Sequence, residues 1–186
     1  MIPFLIVALP RSRTTWLSAY FSTGGVICYH ERLIEFPINE LLNSLGANKG
    51  DADSSLCLYP DEVLKMEEEG KVKIMVVDRN VRECLDSLTS AYHKEQVDVD
   101  PYQVIARSVH GFEKIKRFTK GAVIPYHRLD ELLPMAHQYL TPQIHYSPQR
   151  HGLLLQMNIT QKIKERMNYA SMKLKIDSDK INPASL

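Results

Sequence analysis

The chain has 186 residues, 44% of them hydrophobic and 24% charged, as expected of one soluble globular domain. A net charge of +1 gives no general attraction to nucleic acid or an anionic membrane, so an anion site must be local. Cys28, Cys57 and Cys84 form no Cys-x-x-Cys pair, which argues against a zinc motif or a disulfide framework and reads as buried, reduced thiols of a cytoplasmic protein.

Residues 4–9 (FLIVAL) form a continuous apolar run, the pattern of a strand buried on both faces. Arginines follow this run and do not precede it, opposite to a secretory signal, and no other segment has the apolar length to span a bilayer. From Thr14 the spacing turns helical, with Trp16, Leu17, Tyr20 and Phe21 on one stripe that Gly24-Gly25 ends. A short strand is expected at 26–29, a helix at 33–45 with Pro37 as a kink or early break, and a short strand at 55–59. Pro60-Asp61-Glu62 opens a helix that Gly70 stops. Residues 73–77 (KIMVV) read as the next buried strand and 80–95 as a helix, and Pro101 opens another to about residue 120. A strand at 122–126 (AVIPY), a helix at 129–140, a polar loop and a last basic helix from about residue 153 complete the series, with a frayed tail at 171–186. Strands alternating with helices predict one α/β domain over 1–186, a mostly parallel sheet covered on both faces in three layers.

In such sheets ligands bind beyond the carboxyl ends of the strands. Four polar clusters fall at predicted strand ends: residues 10–15, His30-Glu31, residues 78–87 and His127-Arg128. At the first, a strand passes through a turn into a helix, whose opening amides and positive dipole end suit a phosphate. Ser12, Thr14 and Thr15 add hydroxyl donors there, and Arg11 and Arg13 add charge. At the third, Arg79 follows the strand directly and Ser87 lies eight residues on. His30 and Glu31 are the candidates for a general base, Glu31 ahead of His30. The remaining histidines form no His-x-x-x-His pair, and no carboxylate set suited to magnesium stands out, so no metal is expected.

The stretch LPRSRTTWL resembles the 5′-phosphosulfate loop of the sulfotransferase family, usually Pro-Lys/Arg-Ser-Gly-Thr-Thr-Trp. RNVRECLDS resembles the family's 3′-phosphate motif, Arg-Asn-Pro with a serine eight residues after the arginine. Pro10, Arg11, Ser12, Thr14, Thr15 and Trp16 match the first motif; Arg79, Asn80 and Ser87 match the second. The likeness covers residues 4–90 well and the rest loosely. Arg13 stands in place of the loop glycine, where a positive φ is strained, and either the turn changes or the arginine contacts the anion itself. Val81 replaces a proline, and His127 stands where many relatives carry a glutamate.

The resemblance implies a P-loop NTPase-like sulfotransferase fold and the donor 3′-phosphoadenosine-5′-phosphosulfate (PAPS), used without a metal. Ser12, Arg13, Thr14, Thr15 and Trp16 would bind the 5′ side, Arg11 would neutralise charge on the bridging oxygen, and Arg79 with Ser87 would grip the 3′-phosphate. Glu31 or His30 would take the proton from a hydroxyl, or less readily an amine, of a small-molecule or carbohydrate acceptor. No nucleic-acid or membrane partner is expected. Two other classes remain open. One is a P-loop nucleotide kinase or phosphotransferase, for which the Gly-x-x-x-x-Gly-Lys-Ser/Thr loop is missing. The other is a non-catalytic PAPS-binding module.

Overall fold

The computed structural model describes residues 1–157. Five strands, β1 (Phe4–Ala8), β2 (Ile27–His30), β3 (Lys49–Asp53), β4 (Lys73–Asp78) and β5 (Ala122–Pro125), form one sheet in the order β2-β3-β1-β4-β5. Every pairing is parallel. The helices are α1 (Thr14–Phe21), α2 (Ile38–Ser44), α3 (Pro60–Glu68), α4 (Val81–Glu95), α5 (Pro101–Phe118) and α6 (Leu129–Leu140), with α7 (Pro148–Gln156) after them. Short 3-10 segments occupy Arg32–Ile34, Ser54–Leu58 and Tyr126–Arg128. Packing divides the chain into two units, Met1–Tyr146 and Ser147–Leu186. The tail expected at 171–186 lies outside the described residues.

Side-chain alternation on the central strands makes the layers. Leu5 and Val7 of β1 and Ile74 and Val76 of β4 turn to one face, where α2 to α5 supply Leu41, Val63, Leu88 and Phe112 among others. Phe4 turns to the opposite face and meets Phe21 of α1 at 5.5 Å between ring centroids, and His137 of α6 stacks on Phe21 at 6.1 Å. All five residues of β1 are buried, as the strand's position between two neighbours requires.

Most expected elements are present, with three corrections. The strand expected at 55–59 is instead the 3-10 segment Ser54–Leu58, and the strand itself lies just before it, at Lys49–Asp53 (KGDAD). That strand carries almost no apolar signal, because it buries Asp51 and Asp53 and uses Gly50 to let Phe4 close in. A Cβ on Gly50 would stand 2.2 Å from the Phe4 ring. Second, the helix expected from residue 33 starts only at Ile38, because Pro37 makes the early break and not the kink: it extends the chain at φ −60°, ψ 152° and stands at the N-cap of α2. Third, a helix already opens at Pro148, with the Ser147 side chain accepting from the Arg150 amide, while the basic helix expected from about residue 153 lies mostly outside the described residues.

The topology positions the site. β1 leads to β2 on one side, whereas β3 leads across β1 to β4 on the other. Ala8, the last residue of β1, pairs with Val77 of β4, so the loop after β1 and the turn after β4 leave the sheet side by side. No described helix is long and apolar enough to cross a membrane.

Candidate functional site

The loop after β1 takes the left-handed region twice, at Arg11 (φ 70°) and Arg13 (φ 64°). For residues with a Cβ each such position costs on the order of 1–2 kcal/mol, and each is tethered from another element. Arg79 donates from its Nη1 to the Arg11 carbonyl, and Arg11 donates from its Nε to Ser87 Oγ at 3.3 Å. Arg13 donates from its Nη1 to Asp130 Oδ1 of α6 at 2.8 Å and lies 4.8 Å over the Trp16 ring. Its carbonyl accepts the Leu17 amide at 2.9 Å and so starts α1.

The positive φ at Arg13 is therefore adopted outright, and its guanidinium is engaged by Asp130 and Trp16. Ser12 is fully buried, its hydroxyl 3.6 Å from Cys84 Sγ of α4, so that side chain anchors the loop from below. Burial pushes the Cys84 thiol up. Thr14 and Thr15 turn toward β2, their hydroxyls 3.1 and 3.0 Å from His30 Nε2. The same nitrogen lies 3.6 Å from Glu31 Oε1. Glu31 itself sits at φ 53°, where the chain turns from β2 into the following 3-10 segment.

The turn after β4 is built as tightly. Asn80 caps α4, its side-chain oxygen accepting from the Arg82 and Glu83 amides at 2.9 and 3.4 Å. Arg79 Cζ lies 4.4 Å from the centroid of the Tyr126 ring, and its Nε donates to Glu83 at 3.4 Å. Arg79 also lines a cleft of about 360 Å³ together with Asn80, Lys116 and His127. Lys116 is held by Asp78 and Glu113, at 3.3 and 2.9 Å.

Thus the residues expected to act together fall into two linked groups. Arg11, Arg79 and Ser87 form one; Thr14, Thr15, His30 and Glu31 form the other, with α1 opening between them. Arg11, expected on the 5′ side, makes its side-chain contact with Ser87 of the other group. Sequence reasoning missed Tyr126, which stacks on Arg79, and Asp130, which pairs with Arg13. Tyr126 closes the AVIPY run right after a recognised strand, and that position beside a strand exit was the available signal. Among the described residues no group of three or more His, Cys, Asp or Glu is placed to hold a metal ion.

No family model and no curated protein matches the chain. Two solved structures do. A sulfotransferase from Alicyclobacillus acidocaldarius superposes with a TM-score of 0.54 at 11% identity, covering 80% of this chain and 87% of its own. The sulfotransferase domain from the curacin biosynthetic pathway gives 0.54 at 10% identity, covering 86% and 80%.

Proposed function

The chain has the sulfotransferase fold, and from that premise we propose that it transfers a sulfuryl group from PAPS to a hydroxyl of a small-molecule or carbohydrate acceptor. The observation that carries the reading is the hydrogen bond of Arg11 to Ser87, together with the bond of Arg79 to the Arg11 carbonyl. These contacts join the two strand exits that bear the anion-suited residues. The groups present suit a doubly anionic adenosine compound. Two permanently charged guanidiniums and a hydroxyl stand at one end, and a helix N-terminus with two threonine hydroxyls stands at the other.

In this reading Arg79 and Ser87 hold the 3′-phosphate, with Arg11 between the two ends. The opening amides of α1, with Thr14 and Thr15, hold the 5′ side, and Trp16 flanks them. The acceptor oxygen attacks sulfur, the S–O bond to the 5′-phosphate breaks, and adenosine 3′,5′-bisphosphate leaves. Glu31 or His30 takes the acceptor's proton. His30 Nε2 lies 3.1 and 3.0 Å from the Thr14 and Thr15 hydroxyls and 3.6 Å from Glu31 Oε1, so a proton arriving at this corner meets all three groups. Positioning and fixed donors supply the rate, each preorganised donor contributing about 3 kcal/mol.

Calorimetric titration with adenosine 3′,5′-bisphosphate and with ATP, each with and without magnesium, followed by PAPS turnover against a panel of hydroxyl acceptors, tests this. Metal-independent binding of the bisphosphate and turnover of at least one acceptor are expected. Preference for ATP with magnesium points to a phosphotransferase, and binding without turnover to a non-catalytic module.

A further inference from the structure

We infer that Asp130 is a positioning residue for the loop: by holding the Arg13 guanidinium from α6, it keeps Arg13 left-handed and the opening of α1 in its binding shape. This rests on the reading of that loop as the anion cradle. Arg13 stands at φ 64°, ψ 24°, a conformation that glycine adopts freely and arginine does not. No capping bond from its own side chain compensates. What holds it is the guanidinium: 2.8 Å to Asp130 and 4.8 Å over Trp16. Asp130 lies at the start of α6, directly beyond the Tyr126–Arg128 segment that carries the Arg79-stacking Tyr126. The contact therefore ties the loop after β1 to the exit of β5, across 117 positions of sequence.

The pair is partly exposed, with side-chain accessibilities of 28% and 50%. An acid in the first turn of α6 also favours that helix in its own right. The two roles separate by genetics. If Asp130 acts through Arg13, its removal matters only while residue 13 resists the left-handed region; once glycine stands there, nothing is left for it to hold. If it acts only on α6, its removal costs the same in either background.

The test is a double-mutant cycle of Asp130→Ala and Arg13→Gly with two readouts. The first is exchange of the Leu17 amide, whose partner is the Arg13 carbonyl; the second is affinity for adenosine 3′,5′-bisphosphate. D130A is expected to speed Leu17 exchange and weaken the bisphosphate about threefold each, the scale of a partly exposed ion pair. In the R13G background the same substitution is expected to change both by less than its effect with Arg13 present. Equal changes in both backgrounds, or no change in Leu17 exchange, overturn the inference. Faster Leu17 exchange in a protein that never binds the bisphosphate upholds the Asp130 tether and overturns the proposed function instead.

Discussion

Arg11 and Ser87, 76 positions apart in sequence, are joined by a 3.3 Å hydrogen bond from guanidinium to hydroxyl. The contact exists because β1 and β4 are parallel neighbours: the loop after one and the first turns of the helix after the other share one edge of the sheet. Two short motifs thereby become a single surface.

Arg79→Ala is expected to weaken adenosine 3′,5′-bisphosphate by roughly 10- to 100-fold, the scale of hydrogen bonds from a charged donor. Arg79→Lys recovers little of this, since a point charge lacks the fork of donors that the guanidinium presents 4.4 Å from the Tyr126 ring. Calorimetry on variants with wild-type melting temperature measures it; undiminished affinity in Arg79→Ala removes the residue from the site.

Glu31→Gln keeps its size and His30→Asn keeps a smaller polar side chain, and each loses its capacity to take a proton near neutral pH. Whichever group is the base, its variant is expected to lose about 10²- to 10⁴-fold in kcat while the bisphosphate Kd moves only a few-fold. His30→Asn also disturbs Thr14 and Thr15, which reach its Nε2 at 3.1 and 3.0 Å, so its Kd shift is the larger of the two. Full turnover in both variants sinks the assignment of the base to this corner.

Asp51 contributes more to the stability of the fold in mild acid than at neutral pH. Burial, then the neighbouring Asp53, push its carboxyl up to about 7, with Arg32 opposing them. Its two oxygens are buried, and the Ala52 amide joins Arg32 in opposing the shift without cancelling it. Between the unfolded value of 3.8 and about 7 the folded chain keeps a proton that the unfolded chain has released. This group's contribution to stability therefore falls as pH rises through that window, by on the order of 4 kcal/mol, and stays low above it. Asp51→Asn is expected to flatten the decline in denaturation midpoint between pH 5 and pH 8. Parallel profiles for wild type and variant refute this.

The three cysteines are expected to be inert in the native protein. All are buried, and burial is the leading cause that raises each thiol, Cys57 to about 12. Iodoacetamide at pH 8 should label them only on unfolding, as read by intact mass. Fast native labelling of Cys84 would mean that the loop above it opens readily, since Ser12 covers that thiol at 3.6 Å.

Elements whose signal is apolar were legible from sequence, because β1 and β4 are runs of buried aliphatics and α1 has a clean stripe. β3 was hidden because its stability comes from contacts made elsewhere. Asp53 accepts from the Leu33 and Ser55 amides at 3.0 and 2.7 Å, and Gly50 leaves room for a ring on the neighbouring strand. Leu56 and Cys57, buried and adjacent, then imitated a strand one step too late. In the site, the convergence of the exits of β1 and β4 was readable from motif spacing, but the contact of Arg11 with Ser87 was not, since Arg11 was expected on the 5′ side. The tether of Arg13 to Asp130 was not, since nothing local marks a pair made by tertiary folding.

The chain has one tryptophan, and it lies three residues past Arg13, 7% exposed, stacked on Tyr20 with that guanidinium on its ring. The molecule thus carries its own optical reporter: indole emission from Trp16 comes from one known place, so quenching or a spectral shift on adding a nucleotide reads events at this corner without any label.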